Sequence, residues 1–389
     1  MILLALLAGI LWNLFAGLFY CWSVFVEPLE LALDVSRTSV STVFSVGVVC
    51  YALGMFLSPH ILVRVSLPRL AAGLGLVAGC GLLIAGLGQS LAFLIVGFSV
   101  IFAVTIGVGY ALALQTASLE MPVRRSLAIS LSVTAFAGAA LVWPAPLSAL
   151  IASLGPFTVL LICAAVMAGT GLVCTLLLHL SGAKAPAASD AEATHLLRGF
   201  FTRQPRIFLL ILSSFVVLAL GGLMALSHAA GIATAFGIAA ERAWLGPMMT
   251  SVGYVTACIV AGPVTDWLSG RRVMAGLAAV MTASLLALFL WPSAALSLVA
   301  LALIGGSFGA TAAVYPVAIS SYYSVSEMAR IYGRITLGYG SAGLVAPLAA
   351  GALYDWEGGY HYSLLIAAGF AAAGIIAGIS LPRHAAKAG

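Results

Sequence analysis

The feature that most constrains this sequence is a series of about twelve apolar runs, each roughly 20 residues long and followed by a short polar break. Of the 389 residues, 63% are hydrophobic and 7% are charged, whereas soluble domains average about 25% charged residues. One buried core cannot absorb this much apolar surface, so most of it must face lipid. We therefore predict an all-α polytopic membrane protein in a lipid bilayer.

Charges, prolines and glycines mark the breaks between the runs, and one longer polar segment divides the runs into two sets of six. We predict two pseudo-symmetric six-helix bundles, residues 1–180 and 207–389, joined by a linker over residues 181–206. The predicted spans are residues 3–26, 38–62, 70–88, 91–116, 126–151, 156–180, 207–235, 243–265, 272–291, 295–321, 331–353 and 361–381.

The basic residues are distributed unequally between the two sides of this arrangement. Of the 16 Lys and Arg residues, all except Arg37 and Arg242 fall on the side that carries both termini and the linker. Basic loops stay in the cytoplasm, which predicts a multi-pass protein of the inner (plasma) membrane with both termini cytoplasmic. The net charge of +5 follows from this asymmetry, so it indicates no nucleic-acid partner.

The two sets of runs resemble each other at an offset of about 205 residues, which is typical of a duplicated bundle. Arg37 before the second run corresponds to Arg242 before the eighth, and Arg125 before the fifth corresponds to Arg330 before the eleventh. At the same offset, Ser23 aligns with His228.

A loop motif after the eighth run supports this organisation. The motif reads Gly262-Pro-Val-Thr-Asp266 and continues with Gly270-Arg271-Arg272. The aspartate is placed to accept charge-assisted hydrogen bonds at the cytoplasmic edge. The motif resembles the loop signature of the major facilitator superfamily, and the resemblance implies a transporter with twelve transmembrane helices.

Further residues resemble the oxalate:formate antiporter branch of that superfamily and its monocarboxylate transporter relatives. The resemblance implies cationic side chains at two positions, which here are Cys258 and Tyr339. A dicarboxylate needs such cations to offset its desolvation, so a monocarboxylate or a neutral solute is the better expectation. The matching segments are Gly17–Phe25 with Pro28 and Ser36-Arg37, Gly222–Met224 with His228, and Tyr332-Gly333 through Gly340, Gly343 and Pro347 to Asp355.

His228 lies inside the seventh run and has three interpretations. It is a structural histidine bonded to a neighbouring helix, a cavity group that contacts substrate or carries a proton, or a metal ligand. For the last interpretation, Met224 lies one helical turn away and Cys258 supplies a second sulfur, a set that suits copper(I). All 11 Asp and Glu residues fall at span ends or in loops, so His228 is the first candidate for proton coupling.

We predict a secondary active or facilitative transporter for a small organic solute, in particular a monocarboxylate, that works by alternating access at a central site. The alternatives are a carrier of a metal ion or larger cofactor and a membrane sensor that transports nothing. No catalytic motif or phosphate-binding loop occurs, so we expect neither an enzyme nor a cofactor. We also expect a monomer. Protons are a possible coupling ion. The candidate substrate-binding residues are Tyr20, Ser23, His228, Tyr254, Cys258, Tyr315 and Tyr339.

Overall fold

The computed structural model describes residues 3–120, 125–183, 204–323 and 325–382. In these residues, 11 helices are long and apolar enough to cross a membrane. The bent pair Ala128–Val142 and Pro144–Leu154, whose axes differ by 43°, brings the number to 12 when it is counted as one span. The structure thus confirms the predicted all-α polytopic fold. Residues 184–203 of the predicted linker lie outside the described residues, so the linker boundaries stay a prediction.

The first six spans contain three breaks in their helices, in spans 1, 4 and 5. Span 1 comprises Leu3–Ala16, a 3-10 turn Gly17–Cys21 and Ser23–Leu33; span 2 is Arg37–Leu62; span 3 is Leu67–Gly88; span 4 comprises Leu91–Leu94, a π-helical stretch Ile95–Phe102 and Ala103–Glu120; span 5 comprises Arg125–Val142 and Pro144–Leu154; and span 6 is Pro156–Ser181.

The second six spans are more regular. Span 7 is Pro205–Ala235; span 8 is Leu245–Trp267, preceded by the short turn Ala240–Arg242; span 9 is Gly270–Leu290; span 10 comprises Ala294–Gly309 and Thr311–Ser320; span 11 is Val325–Glu357; and span 12 is His361–Ser380.

The breaks in spans 1 and 5 lie against each other. A Cβ atom on Gly17 would overlap the carbonyl oxygen of Phe136, so only glycine allows span 1 to approach span 5 this closely. Trp143, at the bend before Pro144, donates its indole N–H to the carbonyl of Leu14 at 3.0 Å. A broken helix leaves carbonyls without helical partners, and here the indole of one broken span satisfies a carbonyl of the other.

The two halves repeat one packing arrangement. In the first half, spans 1 and 2 both contact span 4, and span 3 contacts span 6. In the second half, spans 7 and 8 both contact span 10, and span 9 contacts span 12. Glycines allow the helix backbones to touch inside each half. The Gly75 and Gly171 backbones meet in this way, and a Cβ atom on Gly253 would overlap the Ala302 carbonyl oxygen.

The surface where the two halves meet is called the seam below. Span 2 packs against span 11, span 5 packs against span 8, and the second helix of span 1, Ser23–Leu33, contacts span 7. The end of the molecule at which spans 6 and 12 finish is called the terminal end, and the other end is called the opposite end. The candidate functional residues lie along the seam at two levels.

Candidate functional site

The first level is a group of five tyrosines near the middle of the spans, called the central tyrosine cluster: Tyr20, Tyr51, Tyr110, Tyr254 and Tyr339. Spans 1, 2 and 4 contribute the first three, and spans 8 and 11 contribute the other two. Tyr20 and Tyr339 join the halves, because their hydroxyl oxygens are 3.2 Å apart. The rings of Tyr51 and Tyr339 also approach each other across the seam, with centroids 6.4 Å apart.

Phenylalanines form walls on two sides of this cluster. Phe136 of span 5 meets Tyr20 and Tyr110 edge to face, with centroids 4.9 Å and 5.3 Å apart. Phe308 of span 10 lies nearly parallel to Tyr339 at 6.3 Å. Such rings offer apolar faces with hydroxyl groups at their tips, so the cluster is suited to a solute that has both a flat apolar surface and polar edges.

Three hydroxyls of the cluster have no hydrogen-bond partner within the described part of the chain: those of Tyr51, Tyr110 and Tyr254. Tyr110 and Tyr254 are only partly buried. A phenol in an apolar environment normally finds a partner, so these groups are available as donors and acceptors for a ligand.

Three of the predicted substrate-binding residues, Tyr20, Tyr254 and Tyr339, come together in the cluster. Cys258 lies close enough to interact electrostatically with Tyr20 and Tyr254, and its thiol points to the carbonyl of Gly309 at 3.5 Å. The sequence prediction missed Tyr51 and Tyr110. The sequence offered one indication of them: both are tyrosines in the middle of apolar runs, as the predicted tyrosines are.

Two other predicted substrate-binding residues, Tyr315 and Ser23, are not part of the cluster. Tyr315 is fully buried and hydrogen-bonded to Ser214 at 2.8 Å, and both residues belong to the second half. It therefore contributes to packing between spans 10 and 7. Ser23 is also buried, and its hydroxyl makes no hydrogen bond to a described residue.

The second level lies at the opposite end and contains His228. The carbonyl of Pro347 can only accept a hydrogen bond, so the His228 Nε2, 3.0 Å away, carries the proton. In a neutral imidazole the other nitrogen, Nδ1, accepts from the hydroxyl of Tyr360, which lies 3.2 Å away. Tyr360 in turn accepts from the Arg37 guanidinium at 2.8 Å. These bonds fit a neutral imidazole.

Arg37 connects this chain of bonds to the first half. Its guanidinium forms two parallel bonds with Glu30, at 2.6 Å and 2.7 Å, and lies 3.8 Å from the ring centroid of Tyr354. Although it is charged, Arg37 is only 6% exposed. Bidentate pairing and stacking on an aromatic ring are the usual ways to hold a buried guanidinium.

Asp355 makes a second connection across the seam. Its carboxylate, at the end of span 11, accepts hydrogen bonds from the backbone N–H groups of Arg37 and Thr38 at 3.0 Å and 2.8 Å, and from the Thr38 hydroxyl. It therefore caps the first turn of span 2, whose N–H groups lack helical partners. We call Glu30, Arg37, His228, Asp355 and Tyr360 the opposite-end latch.

The structure shows which groups surround His228, whose role stays a prediction. Both ring nitrogens are engaged in the latch, and no described hydrogen bond or ring contact joins His228 to the central tyrosine cluster. The metal set of Met224, His228 and Cys258 therefore lacks a free imidazole. Among the described residues, no three His, Cys, Asp or Glu side chains are grouped to hold a metal ion.

The predicted loop motif lies at the terminal end. Gly270, Arg271 and Arg272 begin span 9, and a Cβ atom on Gly270 would lie 2.9 Å from the Cβ of Ala318 in span 10. Gly262 and Asp266 belong to span 8, but their side chains lie outside the described part of the structure.

Latch residues other than His228 were absent from the predicted site. Arg37 was placed in a loop by its charge, although its correspondence with Arg242 already distinguished it from other loop residues. Tyr360 precedes span 12 and carried no signal in the sequence. Burial raises the pKa of Tyr360, so it is a neutral phenol that can donate to His228.

Comparison with known proteins gives a sequence relative and several structural ones. No protein-family model matches the chain. It is 22% identical over 348 residues to the uncharacterized MFS-type transporter YhjX of Escherichia coli strain K12, covering 87% of this chain and 84% of the relative. A mutant form of the nucleoside transporter NupG superposes with a TM-score of 0.75 at 14% identity, over 97% of this chain and 99% of that one.

A D-xylose–proton symporter superposes with a TM-score of 0.72 at 15% identity, over 99% of this chain and 97% of the symporter. The sequence relative supports an MFS-type transporter, whereas the oxalate:formate or monocarboxylate branch stays a prediction. The helix order, the repeated packing and these superpositions show that the chain has the fold of the major facilitator superfamily transporters.

Proposed function

We propose that this protein is a secondary transporter of a small organic solute, which binds at the central tyrosine cluster and is exposed to either side of the membrane in turn. The observation that carries this proposal is that both halves contribute tyrosines to the cluster. Tyr20 and Tyr339 come from different halves and share one hydrogen bond, so a relative movement of the halves must change the shape of the site.

The opposite-end latch supports the alternating-access proposal. Arg37, Tyr360 and His228 are all nearly fully buried at the seam, so the latch closes one end of the path between the halves. With the orientation predicted from the basic residues, this end faces away from the cytoplasm. The inner membrane, the cytoplasmic termini and a monomeric state belong to this proposal.

Two classes of solute fit the surroundings of the cluster. The names of NupG and of the symporter give nucleosides and D-xylose as their solutes. These are uncharged ring compounds, and phenol hydroxyls between aromatic rings suit them. A monocarboxylate, favoured by the sequence resemblance, is the second candidate. Span 11 carries a buried cation, Arg334, which is 8% exposed and lies about 7.5 Å along the helix from Tyr339.

Neither of the other predicted functions gains support from a structural observation. A metal carrier would require His228 to leave its two partners in the latch. A sensor without transport would not need unpartnered hydroxyls between two movable halves. Proton coupling through His228 stays a proposal, and it requires that the latch open so that the imidazole meets water.

The test is counterflow into proteoliposomes preloaded with single solutes from a panel of nucleosides, pentoses and monocarboxylates. We expect accelerated uptake with at least one solute, and a raised half-saturation concentration for Tyr254→Phe because this variant loses one free hydroxyl. Tyr362→Phe is the matched control, since Tyr362 is 45% exposed at the opposite end. Folded protein that responds to no solute in the panel would contradict the proposal.

A further inference from the structure

We infer that the central tyrosine cluster binds its solute in a form without net charge. This inference rests on the proposed transport function and narrows its substrate class. The cluster presents five phenol groups, and one thiol, that of Cys258, lies nearby. No charged side chain among the described residues makes a hydrogen bond or ring contact with these groups. Phenols and thiols ionise only above about pH 8, so this lining is neutral at physiological pH.

Two buried residues of the second half, His228 and Arg334, could supply a cation, and no described hydrogen bond joins either of them to the cluster. Both ring nitrogens of His228 are engaged in the latch, by Tyr360 and by the Pro347 carbonyl. Arg334 lies five residues before Tyr339, which places it about 140° around the helix from that tyrosine. Tyr332 lies seven residues before Tyr339 and so shares its face of span 11. The face of span 11 that reaches the cluster thus presents phenols.

A bare carboxylate in such a site would lose its hydration without gaining a cationic partner, and this loss is costly in an apolar environment. An uncharged solute avoids that cost. Its hydroxyl, amide or ring-nitrogen groups can bond the free hydroxyls of Tyr51, Tyr110 and Tyr254, and its ring face can lie against Phe136 or Phe308. The chemical class is therefore a neutral polyhydroxylated or heterocyclic ring compound.

The same reasoning determines how a monocarboxylic acid would be carried. The carboxylate would first take a proton from water on one side, giving a neutral carboxyl group with an O–H that donates to a phenol oxygen. The acid would release that proton to water on the other side. The coupling proton would then travel on the substrate and not on a side chain of the cluster.

The experiment compares binding of matched pairs to the purified full-length protein at pH 7, followed by isothermal titration calorimetry. The pairs are xylose with xylonate, lactamide with lactate, and any solute active in counterflow with its charged or uncharged counterpart. We expect the uncharged member to bind at least tenfold more tightly. Equal or tighter binding of the anion would overturn this inference and leave transport intact, whereas no counterflow with any solute would remove both proposals.

A gain of anion binding provides the second arm. Cys258→Arg would put a cation beside Tyr20 and Tyr254, and we expect it to improve binding of the anionic member of each pair at least tenfold relative to the neutral member. Cys258→Ser is the matched control and should keep the preference for the neutral solute. An anion preference in this control, or in the wild type when Cys258→Arg does not fold, would refute the inference.

Discussion

Asp355→Asn is the substitution that tests the opposite-end latch most directly. The carboxylate receives three hydrogen bonds from the first half, two from the backbone N–H groups of Arg37 and Thr38 and one from the Thr38 hydroxyl. An asparagine keeps one oxygen but turns an NH₂ group toward these donors. We expect the closed form of the opposite end to lose stability relative to the open form.

The magnitude follows from the number and exposure of these bonds. Hydrogen bonds to charged groups contribute about 1.5–3 kcal/mol each when buried, but Asp355 is exposed to solvent and solvent screening reduces each contribution. The loss of part of this network should cost about 1–2 kcal/mol, which is a shift of roughly 5- to 30-fold in the ratio of closed to open molecules.

The assay is a distance measurement between spin labels on the two halves, at Leu31→Cys and Trp356→Cys. Both positions are at the opposite end and are 80% and 73% exposed. The background carries Cys80→Ser, because Cys80 is the exposed native cysteine. Asp355→Asn should add or enlarge a population at longer distance.

Glu357→Gln is the matched control for this measurement. Glu357 lies two residues further along the same helix, and its partners in the structure, Tyr362 and His361, belong to the same half. The control removes the same charge without removing a bond across the seam, so it should resemble the wild type. Identical distance distributions for Asp355→Asn and Glu357→Gln would refute the role of Asp355 in closure.

Three further predictions concern other parts of the structure. Tyr360→Phe should shift the same label distances in the same direction, because it removes the hydroxyl that joins an arginine of one half to a histidine of the other. Gly253→Ala should lower the melting temperature strongly, because the added Cβ atom would meet the carbonyl of Ala302 in span 10. Gly276→Ala is the control, and it should leave the melting temperature near that of the wild type because Gly276 has open space around it. Asn13→Ala should destabilise the first half by about 1–3 kcal/mol in denaturant unfolding, since the buried Asn13 amide donates to the carbonyl and hydroxyl of Ser132; unchanged unfolding would contradict this.

The fold was predictable because its main determinant is local. A run of apolar residues long enough to cross a membrane can only be a helix there, since every backbone group needs a partner within the segment. The predicted spans therefore agree closely with the helices observed. The break in span 1 was not predicted, because it depends on how closely Gly17 approaches span 5 in three dimensions.

The candidate site was predictable only in part. Tyr20, Tyr254 and Tyr339 were identified from their positions in the sequence, and the structure brings them together. The surroundings of His228 were not, because they depend on partners more than a hundred residues away, Pro347 and Tyr360. A lone histidine in an apolar run indicates that a polar partner exists, but the sequence does not show which helix supplies it.

Two glycine contacts of this chain, at Gly54 and at Gly343, differ in mechanical kind. Inside a half, Gly54 lies against the backbone of Val104, and main chain rests on main chain. At the seam, the nearest neighbours of Gly343 are side-chain atoms of Val48. Side chains can change rotamer while a backbone contact cannot yield without unwinding its helix. The contact at Gly343 can therefore be separated and re-formed while both helices stay intact, whereas the contact at Gly54 cannot.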